Sequence, residues 1–235
     1  MPTKLHLTRN FSLALYGGGN EVNTVIAAGC PPQPLISNVR PLNITMTSAS
    51  ALSKFAESRS LKFLLDSRTD GIVQEYVYSL NKQKRYVYAE RWNSFGTLIL
   101  WIMLNPGTGD TELRRRNTLE RCRAWSHQWG HGGLLIGNVY STRTKSAKDL
   151  RMSTKDHDKL NDDALRLLAS MATETVVAWG NKARKDAPAR QILPMLGEVK
   201  CLGLTARGEP RHPLYLAKDV KPFVWNPNAL SAADA

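Results

Sequence analysis

Four polar residues that could do chemistry each follow, or end, a run of apolar residues. Asn105 and Asp110 come after one run, Asn138 closes another, and His212 follows a third after a polar loop. A carboxamide offers both a donor and an acceptor, a carboxylate can accept a proton, and an imidazole can do either. Together these groups could orient a water molecule, bind the edge of a polar ligand and stabilise negative charge on a leaving group.

Each of these residues also has an ordinary structural interpretation. Asn105 begins the turn Asn105-Pro106-Gly107, and Asp110 could cap the helix that follows it. Asn138 could satisfy local backbone groups, and a histidine before a proline often has only a structural role. Their shared position after successive strands favours the chemical interpretation, while Asp110 stays divided between a helix cap and a general base.

The apolar runs predict four buried strands that alternate with helices. Continuous apolar stretches are expected of strands buried on both faces, and they occupy residues 97–104, 133–140, 174–180 and 198–204. Helical candidates lie at about 111–128, 157–172 and 182–196. This alternation predicts an α/β fold with an open, mainly parallel, four-stranded sheet and helices on both faces. Ligands bind beyond the carboxyl ends of such strands, so the polar residues should meet at one edge.

The segments before residue 97 predict different structures. Residues 1–45 are rich in glycine and proline, which predicts a loop-rich arm or an extension foreign to the native product. A helix is expected over about 51–65. The alternating stretches 71–80 and 84–92 are typical of strands or a hairpin. The domain that carries the site is then expected at 46–225, with a flexible tail at 226–235.

The chain is strongly basic for its size. It has 32 Lys and Arg residues against 20 Asp and Glu residues, a formal net charge of +12 and a pI near 9.8. This excess predicts a polyanionic partner such as nucleic acid. Three widely spaced cysteines match no zinc or iron–sulfur pattern, so no metal or other cofactor is predicted. The scattered cysteines fit a reduced cytoplasm, and no apolar run reaches about 18 residues, the length needed to span a membrane. We therefore expect a cytoplasmic protein without a membrane span, and we expect it to be a monomer.

Taken in order, the motifs resemble those of the uracil-DNA glycosylase superfamily. They are the Leu-Asn-Pro-Gly of 104–107, a strand ending in Asn138, a strand ending in Trp179-Gly180, and the late His212-Pro213 followed by apolar residues. The first motif resembles the mismatch-specific branch of that superfamily. The whole set, over roughly residues 84–225, is most similar to a little-characterised microbial branch. The resemblance implies a three-layer α/β/α fold.

The resemblance also implies an activity. A monofunctional DNA glycosylase flips a base out of the duplex and hydrolyses its N-glycosidic bond, which leaves an abasic site. His212 would donate a hydrogen bond to the leaving base, Asn105 would hold the attacking water, and Asp110 would be the general base if one exists. Leu214 stands where the superfamily usually has serine, which argues against uracil as the substrate. Some relatives resemble antiviral defence enzymes that remove hypermodified bases, such as glucosylated hydroxymethylcytosine, from phage DNA.

Further roles follow from the same comparison. The extruded base would contact Asn138, Tyr140 and Trp179, the DNA backbone would contact Arg143, Lys145, Arg207 and Arg211, and Leu214 or Tyr215 would be the wedge that fills the gap. The arginine-rich stretch 112–125 could face DNA or be a solvated helix face. Two other functions stay open: a non-catalytic nucleic-acid-binding protein on the same scaffold, and a hydrolase of free nucleosides or nucleotides.

Overall fold

The computed structural model describes residues 50–108, 117–144, 150, 158–181 and 188–227. All of them belong to the unit Met46–Ala235. The expected arm at 1–45, the candidate base Asp110, the predicted DNA contact Lys145 and most of the expected tail lie outside the described residues.

Eight strands of the described residues form one sheet. They are β1 (Lys62–Ser67), β2 (Val73–Tyr78), β3 (Arg85–Arg91), β4 (Leu98–Met103), β5 (Gly133–Asn138), β6 (Glu174–Val177), β7 (Lys200–Cys201) and β8 (Phe223–Val224). Their order across the sheet is β1-β2-β3-β5-β4-β6-β7-β8. The strands β5, β4, β6 and β7 run parallel in the middle, and the strands outside them pair antiparallel.

The α/β class is confirmed, but the expectation of a four-stranded, mainly parallel sheet is wrong. Four of the seven strand pairings are antiparallel. The difference arises because the alternating segments 71–80 and 84–92 join the same sheet, through pairs such as Tyr88 with Ile136. Periodicity predicts that a segment is a strand, but the neighbour it pairs with is decided by tertiary packing.

Helices cover both faces of the sheet. They are α1 (Ala51–Ser58), α2 (Asn117–Gln128), α3 (Lys159–Met171) and α4 (Pro188–Leu196), and a 3-10 turn spans Pro213–Tyr215. Alternate residues of β4 point to opposite faces, so Leu100 packs with α1, α3 and α4 whereas Trp101 packs with α2. None of the described helices is long and apolar enough to cross a membrane.

The helix expected over 51–65 is shorter in the structure. It begins after Ser50, whose hydroxyl accepts a hydrogen bond from the Ser53 N–H at 3.1 Å, and it ends at Ser58. Ser60 has a φ of 52°, a left-handed conformation that does not continue a right-handed helix, and β1 begins at Lys62. The apolar residues of β1 fit either a helix or a strand, since a short apolar run does not distinguish them.

The side chains of two arginines of α2 contact the rest of the protein. The Arg123 guanidinium donates to Glu90 Oε2 at 2.6 Å through Nε and to Glu90 Oε1 at 2.5 Å through Nη2. Arg121 donates to the Leu216 carbonyl and lies over the Trp125 ring, with 4.9 Å from its Cζ atom to the ring centroid. In the described part of the arginine-rich stretch, these two side chains therefore stabilise the fold.

Candidate functional site

A cavity of about 980 Å³ lies at the carboxyl ends of β4, β5 and β6. Its wall includes Asn105 after β4, Asn138 at the end of β5, and Trp179, Gly180 and Asn181 after β6. Further lining residues come from β3, from the start of α2 and from the loop 204–215. The carboxyl edge of the parallel strands is where ligands bind in open α/β sheets, so this cavity is the candidate site.

Asn105 has a fixed orientation in the cavity wall. Its Nδ2 donates to the Pro106 carbonyl at 3.1 Å and to Thr144 Oγ1 at 3.0 Å. A carbonyl oxygen can only accept, so the nitrogen of the carboxamide must face Pro106. The Asn105 Oδ1 is therefore the atom left for a ligand or a water molecule, and it is a hydrogen-bond acceptor.

His212 presents a neutral imidazole with a defined tautomer. Its Nδ1 accepts a hydrogen bond from the Leu214 N–H at 3.3 Å, so the ring proton belongs on Nε2. Burial lowers the pKa of His212, which favours the uncharged ring. The Nε2–H is thus a neutral donor in the wall of the cavity.

The loop that carries His212 is tied to β6 and β7 through the backbone. The Gly180 N–H donates to the Pro210 carbonyl, and the Arg211 N–H donates to the Gly203 carbonyl, both at 2.8 Å. Gly180 has a φ of 75°, a left-handed conformation that favours glycine. This turn is how Trp179-Gly180 brings the end of β6 against the histidine loop.

Asn138 lies at the floor of the cavity and is 1% exposed. Its backbone carbonyl accepts a hydrogen bond from Asn161 Nδ2 at 3.0 Å, which ties β5 to α3. Its side-chain Nδ2 is buried, and none of the described residues offers that atom an acceptor. Buried polar groups in proteins are nearly always hydrogen-bonded, so this amide is a donor for a ligand or a water molecule in the cavity.

Trp179 forms part of the cavity wall, and its ring N–H is already used. The Nε1 donates to Glu209 Oε2 at 2.9 Å, and the other carboxylate oxygen of Glu209 accepts from Arg190 at 3.3 Å. Trp225 packs edge-on against the Trp179 ring, with 5.5 Å between the centroids. Trp179 therefore offers a ligand an apolar surface only.

Some of the residues that the sequence predicts for the site line the cavity, and others lie outside it. Its lining includes Asn105, Asn138, Trp179, Arg211, His212 and Tyr215, but it does not include Tyr140, Arg143, Arg207 or Leu214. Tyr140 packs against the core on the α3 face. Arg143 donates to the Lys82 carbonyl at 2.8 Å and the Thr108 carbonyl at 3.1 Å, so it holds two loops together. Arg207 and Leu214 are exposed.

A buried polar cluster beneath the cavity was not expected from the sequence. Tyr88 lines the cavity, and its hydroxyl donates to Glu90, which also accepts from Gln74 Nε2 at 2.6 Å and from Arg123. Burial alone would raise the pKa of Glu90, but the hydrogen bonds from Arg123 and Tyr88 hold that pKa below its usual value. Burial and the nearby Glu90 raise the pKa of Tyr88, so the phenol stays neutral. The alternating sequence pattern predicts that these residues lie in strands, but it does not predict that their polar side chains form a buried cluster.

Side chains that could act as nucleophiles or metal ligands are few in this region. Cys122 lines the cavity, but burial raises the pKa of its thiol far above the usual range, which keeps it protonated and unreactive. No group of three or more His, Cys, Asp or Glu side chains within the described ranges could hold a metal ion.

Comparison with known proteins assigns the chain to a family. No curated protein and no solved structure matches the chain. A family model matches residues 85–214, which run from the first residue of β3 into the 3-10 turn. This match covers more than half of the 235 residues and includes Asn105, Asn138, Trp179 and His212. The chain therefore belongs to the family described as "Protein of unknown function (DUF1643)".

Proposed function

We propose that this protein is a monofunctional DNA glycosylase, which removes a modified base from duplex DNA and leaves an abasic site. The observation that carries the proposal is a single cavity lined by Asn105, Asn138 and His212. The hydrogen bonds of Asn105 and His212 leave an acceptor and a neutral donor, respectively, for a ligand. Hydrolysis of an N-glycosidic bond requires such a pair, because water must be oriented while charge on the base is stabilised.

The reaction assigns one task to each of these residues. The bond between the sugar carbon and the base nitrogen breaks, and its electron pair goes to the base. The His212 Nε2–H stabilises the resulting negative charge by donating to a base oxygen, as a neutral oxyanion-hole donor does. The Asn105 Oδ1 accepts a hydrogen bond from the water whose oxygen then bonds to the sugar carbon. The water gives up a proton in this step, and Asp110 is the candidate to accept it.

The proposed reaction is hydrolytic and forms no Schiff base between a lysine and the sugar. A glycosylase of this kind leaves the abasic strand uncut, so the proposal includes no lyase step.

The size of the cavity supports a bulky base. Ligand cavities usually measure about 300–1,000 Å³, and this one, at about 980 Å³, is near the upper end. Gly107 lies in its wall, and a Cβ atom there would meet no other atom within 4 Å. A hypermodified base, such as a glucosylated hydroxymethylcytosine of phage DNA, would find room there, and this substrate would place the protein in antiviral defence.

The 3-10 turn after His212 carries candidate wedge residues. Tyr215 is 74% exposed and lines the cavity mouth, whereas Leu214 is 37% exposed and lies outside the cavity. Arg207 and Arg211 are exposed on the same loop. A base-flipping protein needs apolar side chains that fill the space of the extruded base. It also needs cationic side chains nearby that contact the phosphates.

The decisive experiment is mass spectrometry of bases released from a panel of phage DNAs with different modifications. The wild-type protein should release one modified base and create abasic sites. His212→Ala and Asn105→Ala should each lower the rate by about 10²–10³-fold, the usual effect of losing one oxyanion-type contact. His127→Ala is the matched control, because His127 stacks on Trp92 at a centroid distance of 4.0 Å and does not line the cavity.

Two results would count against a glycosylase. One is a panel of DNAs left intact by the wild-type protein. The other is base release that persists unchanged in both His212→Ala and Asn105→Ala.

A further inference from the structure

The start of β3 contains a bulge that changes the direction of one side chain. Val77 pairs with Val87, but the next residue of β2, Tyr78, pairs with Arg85, so Tyr86 is an extra residue in β3. Side chains alternate between the faces of a sheet, and the extra residue moves Arg85 onto the face that carries Tyr78. Bulges are common beside active sites, where they redirect a side chain in this way.

The redirected side chain lies in the cavity. Arg85 is 8% exposed, lines the cavity, and places its guanidinium carbon 5.5 Å from the ring centroid of Tyr88. Arg85 has further interactions within the protein. It need not be unpaired to bind a ligand, because a guanidinium carries five N–H donors in a planar fork. Glu90, the buried acid on the same strand, is already balanced by Arg123.

The described part of the cavity wall contains two arginines and further hydrogen-bond donors. Its described lining residues include Arg85 and Arg211 but no aspartate or glutamate. His212 is a neutral donor, and the Nδ2 of Asn138 has no acceptor among the described residues. A ligand with negative charge and acceptor oxygens would complement these groups.

We propose that Arg85 forms an oxyanion subsite inside the cavity, and that the nucleotide-type ligand carries a phosphate or carboxylate group that binds there. This inference deepens the proposed function and rests on it for the class of ligand. It adds that a negatively charged group of the nucleotide or of its base binds in the cavity, so that charge, as well as size, decides which ligand binds.

The test is equilibrium binding of two matched probe pairs to the full chain at low salt. One pair is 2′-deoxycytidine and its 5′-monophosphate, and the other is uracil and 5-carboxyuracil. The charged member of at least one pair should bind about tenfold or more tightly than its neutral partner, as expected for a charge-assisted hydrogen bond. Arg85→Gln should abolish this preference and leave the affinity for the neutral probes unchanged. A response of the first pair assigns the anion to the nucleotide phosphate, and a response of the second assigns it to the base.

The matched control is Arg166→Gln. Arg166 lies on α3, its side chain is 55% exposed, and it does not line the cavity, so this variant removes one positive charge from outside the cavity wall. The preference for the charged probe should survive in it. Loss of the preference in Arg166→Gln as well would mean that overall charge is responsible, and the Arg85 subsite would be rejected.

Several other outcomes also decide whether Arg85 forms the subsite. The subsite is also rejected if neither pair shows a preference in the wild-type protein, or if the preference persists in Arg85→Gln. If the preference disappears only in Arg211→Gln, the anion binds at Arg211 and the assignment to Arg85 is wrong. If Arg85→Gln fails to fold, Arg85→Lys replaces it and should weaken the preference, because lysine lacks the planar fork of arginine. A preference equal to that of the wild type would contradict the assignment to Arg85. Base release is measured separately, so charged probes that bind without any base release would contradict the glycosylase and support the subsite.

Discussion

Asn105 and Arg85 both line the cavity, but the sequence pattern predicts this position only for Asn105. Asn105 follows an apolar run and begins a turn, so its place at a strand end is visible. Arg85 lies in an alternating segment, and only the bulge between β2 and β3 brings it to the cavity face. The role of Asn105 also needed the structure, because Thr144, which orients its carboxamide, is 39 residues away.

The Arg123–Glu90 pair makes a prediction about stability at this scale. The Glu90 side chain is fully buried, and Arg123 supplies the positive charge that balances it. Arg123→Met should lower the free energy of unfolding by about 3–5 kcal/mol, because a buried carboxylate would lose its partner. Urea unfolding monitored by circular dichroism measures this change.

The double variant Glu90→Gln/Arg123→Met is the control for this prediction. It removes both charges, so it should be more stable than Arg123→Met alone. A cost below about 1 kcal/mol for Arg123→Met, the level of an exposed ion pair, would show that the pair does not hold α2 against the sheet.

At the scale of elements, the four apolar runs contain β4, β5, β6 and β7, as the sequence predicts. Their polar ends meet at one edge because parallel strands align their carboxyl ends. The topology of the sheet therefore places these polar residues at the same edge, whereas the distances between them depend on the loops that follow the strands. Here Gly180 contacts the histidine loop directly, since its N–H bonds to the Pro210 carbonyl.

Gly180→Ala tests how far the site depends on this loop contact. Because Gly180 has a φ of 75°, an alanine there is strained even though its Cβ would lie 3.6 Å from His212 Cβ, an ordinary contact distance. The variant should lose about 1–2 kcal/mol of unfolding free energy, the cost of the left-handed conformation for a residue with a Cβ. Thermal or urea unfolding gives the value.

Gly107→Ala is the matched control for the glycine prediction. Gly107 is not among the residues with positive φ, and its Cβ would meet nothing within 4 Å. Its unfolding free energy should therefore stay near that of the wild type. Equal losses in the two variants would mean that the conformation of Gly180 is not what matters.

At the scale of the whole molecule, a second cluster of polar side chains joins the loops at the edge opposite the cavity. His131 Nδ1 lies 3.0 Å from Thr97 Oγ1, and its Nε2 lies 4.0 Å from Glu174 Oε2, which also pairs with Lys200 Nζ at 3.4 Å. Burial lowers the pKa of His131, and this effect outweighs the attraction of Glu174. Burial lowers the pKa of His212 in the same way.

These shifts predict that the protein loses stability in mild acid. The unfolded histidines titrate near pH 6.5, above their folded pKa values, so the unfolded state binds more protons as the pH falls. The stability that the two neutral histidines contribute is fully present above about pH 6.5, and it is lost as the pH drops toward their folded pKa values. Urea unfolding at about pH 7.5, 6.5 and 5.5 measures the decline. His131→Asn should make it shallower, and an unchanged slope would exclude His131 as a contributor.

The sequence by itself determined the α/β class, the four central strands and the residue types that end them. It could do so because apolar periodicity and turn residues are local properties of the chain. Only the tertiary structure decided that eight strands of the described residues form one sheet, that Arg121 and Arg123 contact the rest of the protein, and that Arg85 lines the cavity. Each of these depends on a partner distant in sequence, such as Glu90 for Arg123 or β5 for β3, and local patterns carry no information about such partners.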